Sequence, residues 1–140
     1  MLNVKKLLCK LTQKAAAIGS IVNKDTSTAV AVPTATWTSV ASVTLGPGVW
    51  VLVGTVSFAS NATGRRNSGI SNNGTALSGA YLRMTGVSAA AVSGGATNEH
   101  TSFVTGKLTA ASTTYHLVGW QNSGGDLNTT GYLRAVRVSG

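Results

Sequence analysis

The chain has 140 residues, 43% of them hydrophobic and only 10% charged, with 17 glycines and a net charge of +8. That length suits one domain with a real core, and the low charge with recurring aromatics excludes a disordered chain. The basic excess reflects scarce acids (Asp25, Glu99 and Asp126) and no basic stripe interleaved with aromatics, so a nucleic-acid partner is not expected.

The first 24 residues differ from the rest. Val4, Leu8, Leu11, Ala15, Ile18 and Val22 recur at alternating spacings of four and three, which predicts an amphipathic N-terminal α-helix over 1–24. Lys5, Lys6, Lys10 and Lys14 lie off that stripe. A self-associating stalk or docking peg fits this pattern; so does a helix packed on its own domain, or one lying on a membrane surface. Lys10 and Lys14 interrupt the apolar stretch that a signal peptide needs, so export by a signal is not expected. Cys9 is the single cysteine and excludes an intrachain disulfide. No apolar run is long enough for a membrane span.

A polar hinge, "NKDTST" (23–28), leads into a second region, 25–140, that reads as strand after strand. "AVAV" (29–32) ends at Pro33, and "TWTSVASVTL" (36–45) puts Trp37, Ala41, Val43 and Leu45 on one face. "LGPG" (45–48) is a turn. "GVWVLVGTVSFAS" (48–60) is apolar on both faces in its first half, which predicts a strand covered on both sides. "RRNSGIS" (65–71), "AYLRMTGV" (80–87), "HTSFVTGKLTA" (100–110), "TTYHLVGWQN" (113–122) and "GYLRAVRVS" (131–139) complete the set. About eight strands with turn signals between them predict an all-β sandwich. The connections at 46–48 and 110–113 are tight; those at 60–64, 88–99 and 122–130 are longer and polar, and are expected to cluster at the end away from the N-terminal segment.

Three segments carry a family resemblance: "TWTSVASVTLGPGVWVLVGTVSFASNATGRR", "TYHLVGWQNSGG" and "YLRAVRVSG". They combine a Thr-Trp strand, a Gly turn before a Trp-containing strand, a Gly-Arg-Arg entry and a closing Tyr-Leu-x-Ala-x-Arg strand. Together they resemble the trimeric jelly-roll tips of bacteriophage tail and head fibres, which look like the tumour-necrosis-factor and complement head. The resemblance implies an eight-stranded antiparallel jelly roll, a homotrimer on a stalk, and a virion-surface role in host attachment. Subunit contacts would then include Val4, Leu8, Leu11 and Ile18 of the seam, Val49 and Val51 of the doubly apolar strand, and Arg66. The N-terminal helix would join the head to other virion proteins. The alternatives are a decoration protein without a ligand and a secreted carbohydrate-binding lectin.

The catalytic case is thin. No Gly-x-Ser-x-Gly elbow is present, and Glu99 and Asp126 are the only carboxylates in the body, so no enzyme is expected. His100 and His116 read as hydrogen-bonded histidines of the core or an interface, and no metal or other cofactor is implied. The sequon-like "NAT" (61–63), "NGT" (73–75) and "NTT" (128–130) read as turn chemistry. The expected ligand is a host-surface glycan. Asn61, Thr63, Asn98, Asn122, Asp126 and Asn128 of the long loops would bond its hydroxyls, with Trp120 stacking on a ring. Loops so poor in positive charge suit a neutral glycan. Arg65 and Arg66 are adjacent in a strand and must point to opposite faces, so one is expected to turn inward onto backbone carbonyls or a neighbouring chain.

Overall fold

The computed structural model describes residues 18–77, 87–92, 98–109 and 112–140, without the side chains of 24–27, 87–92, 98 and 100. They form β1 (Ile21–Val32), β2 (Thr38–Leu45), β3 (Gly48–Phe58), β4 (Asn61–Ser71), β5 (Val87–Val92), β6 (Asn98–Leu108), β7 (Thr113–Gln121) and β8 (Leu127–Ser139). Two antiparallel four-stranded sheets result, ordered β1-β8-β3-β6 and β2-β7-β4-β5. The pairs 1·8, 2·7, 3·6 and 4·5 are nested, as if one long hairpin had been doubled and wound round. The β1–β2, β3–β4 and β7–β8 connections therefore share one end, and the β2–β3 turn lies at the other, beside the start of β1.

Alternation in β3 builds the core. Trp50, Leu52, Val56 and Phe58 point inward, and Val49, Val51 and Val53 point outward and are half-buried. The inward set meets Val40, Val43, Leu45, Ile70, Tyr115 and Leu117 of the facing sheet. Each fully buried leucine or phenylalanine contributes roughly 2–3 kcal/mol. The facing sheet packs tightly over Gly54, where a Cβ would sit 2.6 Å from Leu117 Cδ1. The indole N–H of Trp50 donates to the carbonyl of Gly46 at 3.0 Å, so its polar edge is satisfied.

Three expectations are corrected. The helix predicted over 1–24 does not reach its end: Ile18 and Gly19 form a turn, and residues 21–24 are already strand, paired with Val136 to Leu133. Val22 satisfied a helical period and a strand period equally, and pairing with β8 decides between them; Val4, Leu8 and Leu11 lie outside the described residues. The hinge at 23–28 is also strand, with its irregularity absorbed by a register shift between Thr26 and Val30. Finally, the polar loops are shorter than expected, since 61–64, 88–92 and 127–130 belong to β4, β5 and β8.

Candidate functional site

The end of the sandwich carrying the β1–β2, β3–β4 and β7–β8 connections is braced by two buried polar side chains. Arg66 is 0% exposed. Its guanidinium donates to the carbonyls of Thr63 (2.8 Å), Asn61 (3.1 Å) and Arg65 (3.3 Å), and burial lowers its pKa. It thereby holds the bent entry of β4, where pairing with β5 shifts register between Asn61 and Arg65. The expected inward arginine is this one, and its targets are carbonyls of its own chain. With no exposed surface it is not a contact between chains, which corrects that assignment.

Gln121, also 0% exposed, is the second brace. Its amide nitrogen donates to the carbonyls of Val32 (2.9 Å) and Gly125 (2.6 Å), and its Oε1 accepts from the backbone N–H and hydroxyl of Ser123, both at 2.6 Å. The carbonyl of Gln121 accepts from Ala35 N–H at 2.6 Å, which holds Ala35 at a φ of 57° that an alanine seldom adopts. Nothing in the hydrophobic pattern marks Gln121; a glutamine at an apolar-face position was the available signal.

Several predicted ligand groups are occupied. Asn61 Oδ1 accepts from the backbone N–H and hydroxyl of Thr63, both at 2.9 Å, and Thr63 Oγ1 also donates to Ser123 O. Asn122 Oδ1 accepts from Arg65 N–H at 2.5 Å. Asn73 and Thr75 repeat the Asn61–Thr63 arrangement at 3.0 Å; "NGT" is a turn device, as expected, whereas "NAT" makes the same local bonds at the entry of β4. Asp126 and Asn128 are exposed, and the side chain of Asn98 lies outside the described set. These residues do share one end: Thr63 and Arg65 bond the β7–β8 turn, and Ala59 N–H donates to Asn128 O at 2.9 Å. Trp120, half-buried, meets Trp37 with ring centroids 6.4 Å apart and planes tilted by 40°. The strand period predicts Trp37 on the face of Ala41, Val43 and Leu45; it is instead only half-buried, because a register shift between Ser39 and Ala41 takes it out of the alternation.

His116 lies elsewhere on β7, with Nδ1 2.9 Å from Ser39 Oγ and the backbone of Gly74 close over its ring. Burial lowers its pKa below the usual value. The unfolded chain therefore takes up a proton first as pH falls. Stability is intact above about pH 6.5 and is lost progressively below it, down through the lower folded pKa. Thermal melts should show that loss as the pH falls below about 6.5, and His116→Asn should reduce it. Equal pH slopes in both proteins would remove His116 as the cause. Among the described residues no three His, Cys, Asp or Glu side chains gather as metal ligands. Glu99 and Asp126 are both exposed, the first on β6 and the second in the β7–β8 turn.

Of the expected subunit contacts, Val49 and Val51 are half-buried on the outward face of β3, and Ile18 is 74% exposed. Comparisons with family models, curated proteins and solved structures find no match to this chain.

Proposed function

We propose that the protein is a bacteriophage virion protein: a trimeric jelly-roll head at the virion surface that attaches to a host-surface glycan through its braced loop end. The strand order 1-8-3-6 over 2-7-4-5 supports the jelly-roll reading, and the strand motifs of the resemblance fall on β2, β3, β4, β7 and β8. The proposed work is binding, with the N-terminal segment joining the head to other virion proteins.

The observation that carries the reading is the outer face of the β1-β8-β3-β6 sheet. Across its strands run the rows Ile21–Val136–Val51–Thr105 and Asn23–Arg134–Val53–Phe103. Ile21 is 53%, Phe103 52% and Val138 44% exposed, and all three lie on this sheet. These exposed apolar side chains, set among Asn23, Arg134 and Thr105, suit contact with further copies of the chain. The braced end stays clear of it, as an attachment surface must.

Attachment is tested with labelled protein on bacterial cells and on their isolated surface polysaccharide. Replacing both Asp126 and Asn128 with alanine should cut binding at least tenfold, because three copies per particle multiply each weak contact. The oligomeric mass should not change. Undiminished binding by this variant would remove the loop-end site.

A further inference from the structure

The two adjacent arginines do different work, and the second points to a ligand. With Arg66 turned inward, alternation puts Arg65 and Asn67 on the outer face of the β2-β7-β4-β5 sheet. Asn67 stands directly opposite Trp120, and Trp120 meets Trp37. A row Trp37–Trp120–Asn67 thus runs from the residue before β2 across β7 to β4, just below the braced end. Arg65 lies diagonally across from Trp120, a spacing of about 7–8 Å between backbones that a long side chain spans. Its backbone is fixed on both sides, by its N–H to Asn122 Oδ1 and by its carbonyl, which accepts Asn122 N–H at 3.3 Å.

The chemistry of this wall is specific. Two half-buried indoles tilted by 40° make a shallow platform for one flat apolar face. A pyranose ring offers such a face through its axial C–H groups. Asn67 is partly buried, and its Oδ1 is buried without a hydrogen-bond partner among the described residues, a polar group left unsatisfied beside the indoles. Arg65 is exposed, and its planar fork matches a carboxylate. None of the three acids lies on the strands of this face, since Asp25 and Glu99 belong to β1 and β6 of the other sheet and Asp126 to the β7–β8 turn.

From this juxtaposition we infer that the wall formed by Trp37, Trp120, Asn67 and Arg65 is a subsite for an acidic sugar, a pyranose carrying a ring carboxylate such as a hexuronic acid. The ring stacks on the indoles and the carboxylate pairs with Arg65. The inference rests on the attachment reading and deepens it, replacing the neutral glycan that the loops alone suggested with an anionic one. It also extends the contact from the loop end onto the side of the head.

The test is a titration of nitrogen-15-labelled full-length protein with glucuronate, with glucose as the neutral ring and acetate as the carboxylate without a ring. Glucuronate should shift the indole N–H signals of Trp37 and Trp120, with an affinity on the order of millimolar. The signal of Trp50, whose N–H is held by Gly46 at the other end of the sandwich, should stay in place. Acetate should move none of the three. Arg65→Gln should weaken glucuronate about tenfold while leaving glucose unchanged. Trp120→Phe, which keeps the packing, should weaken both sugars. Equal affinity for glucose and glucuronate in the native protein, glucuronate binding indifferent to Arg65→Gln, or no indole shift at all would each overturn the inference. Such a failure with cell attachment intact leaves the attachment reading standing; lost attachment with the glucuronate response intact does the reverse.

Discussion

Arg66→Ala should lower the free energy of unfolding by about 3 kcal/mol, the largest loss expected from any single polar substitution among the described residues. The guanidinium serves three carbonyls at once. Each is a charge-assisted bond worth roughly 1.5–3 kcal/mol before water repairs part of the damage. The buried stem is lost as well. Arg66→Lys should recover less than half, because an ammonium lacks the planar fork that reaches separate carbonyls. Arg65→Ala, one residue away but exposed, should stay within about 0.5 kcal/mol of the native protein. Urea denaturation of the three variants measures this directly. Equal stability of the two alanine variants would mean that Arg66 does not brace the β4 entry.

The second large effect is on assembly. Light scattering of the native protein should give three chain masses, and Val51→Glu should reduce that to one. Val51 sits between Val136 and Thr105 in the middle of the apolar outer face. In a single chain a glutamate there reaches water. In an assembled particle it must be desolvated without a partner, at a cost of several kcal/mol at each of three contacts. Circular dichroism should stay that of a β-protein, which separates failed assembly from failed folding. Val51→Thr keeps the shape without the charge and should leave the trimer intact. A native protein that runs as one chain mass, or a trimeric Val51→Glu variant, would refute this face as the contact.

The strands with strong alternation were legible from their residues alone. β3, β7 and the later parts of β2 and β8 were placed within a residue or two, because Trp50, Leu52, Val56, Phe58, Tyr115 and Leu117 announce a single buried face. The misses have one physical cause: strand structure imposed by pairing on segments that carry no apolar signal. Asn61 to Gly64 looks like a loop, yet the Arg66 guanidinium holds it as the entry to β4. The Ser- and Ala-rich β5 is strand because β4 pairs with it. Residues 23–28 look like a hinge until β8 lies beside them. At the candidate site, the opposite orientation of the two arginines followed from the strand period. The Trp37–Trp120 pair did not, because it depends on a register shift near Ser39 that no local pattern records.

The nested order of the strands also governs how the chain is made. β8 is the last of the eight strands to leave the ribosome, yet it lies inside its sheet, between β1 and β3. Ile21 waits for Val136, and Val53 waits for Arg134. Until then β1 has no partner in its sheet, and β3 has only β6 beside it. The nascent chain therefore emerges with its most apolar strand half-paired, and closure of the first sheet waits for β8, an event of high sequence separation and correspondingly slow rate. During that interval the exposed β3 is the segment most open to wrong pairing between neighbouring chains on one polysome.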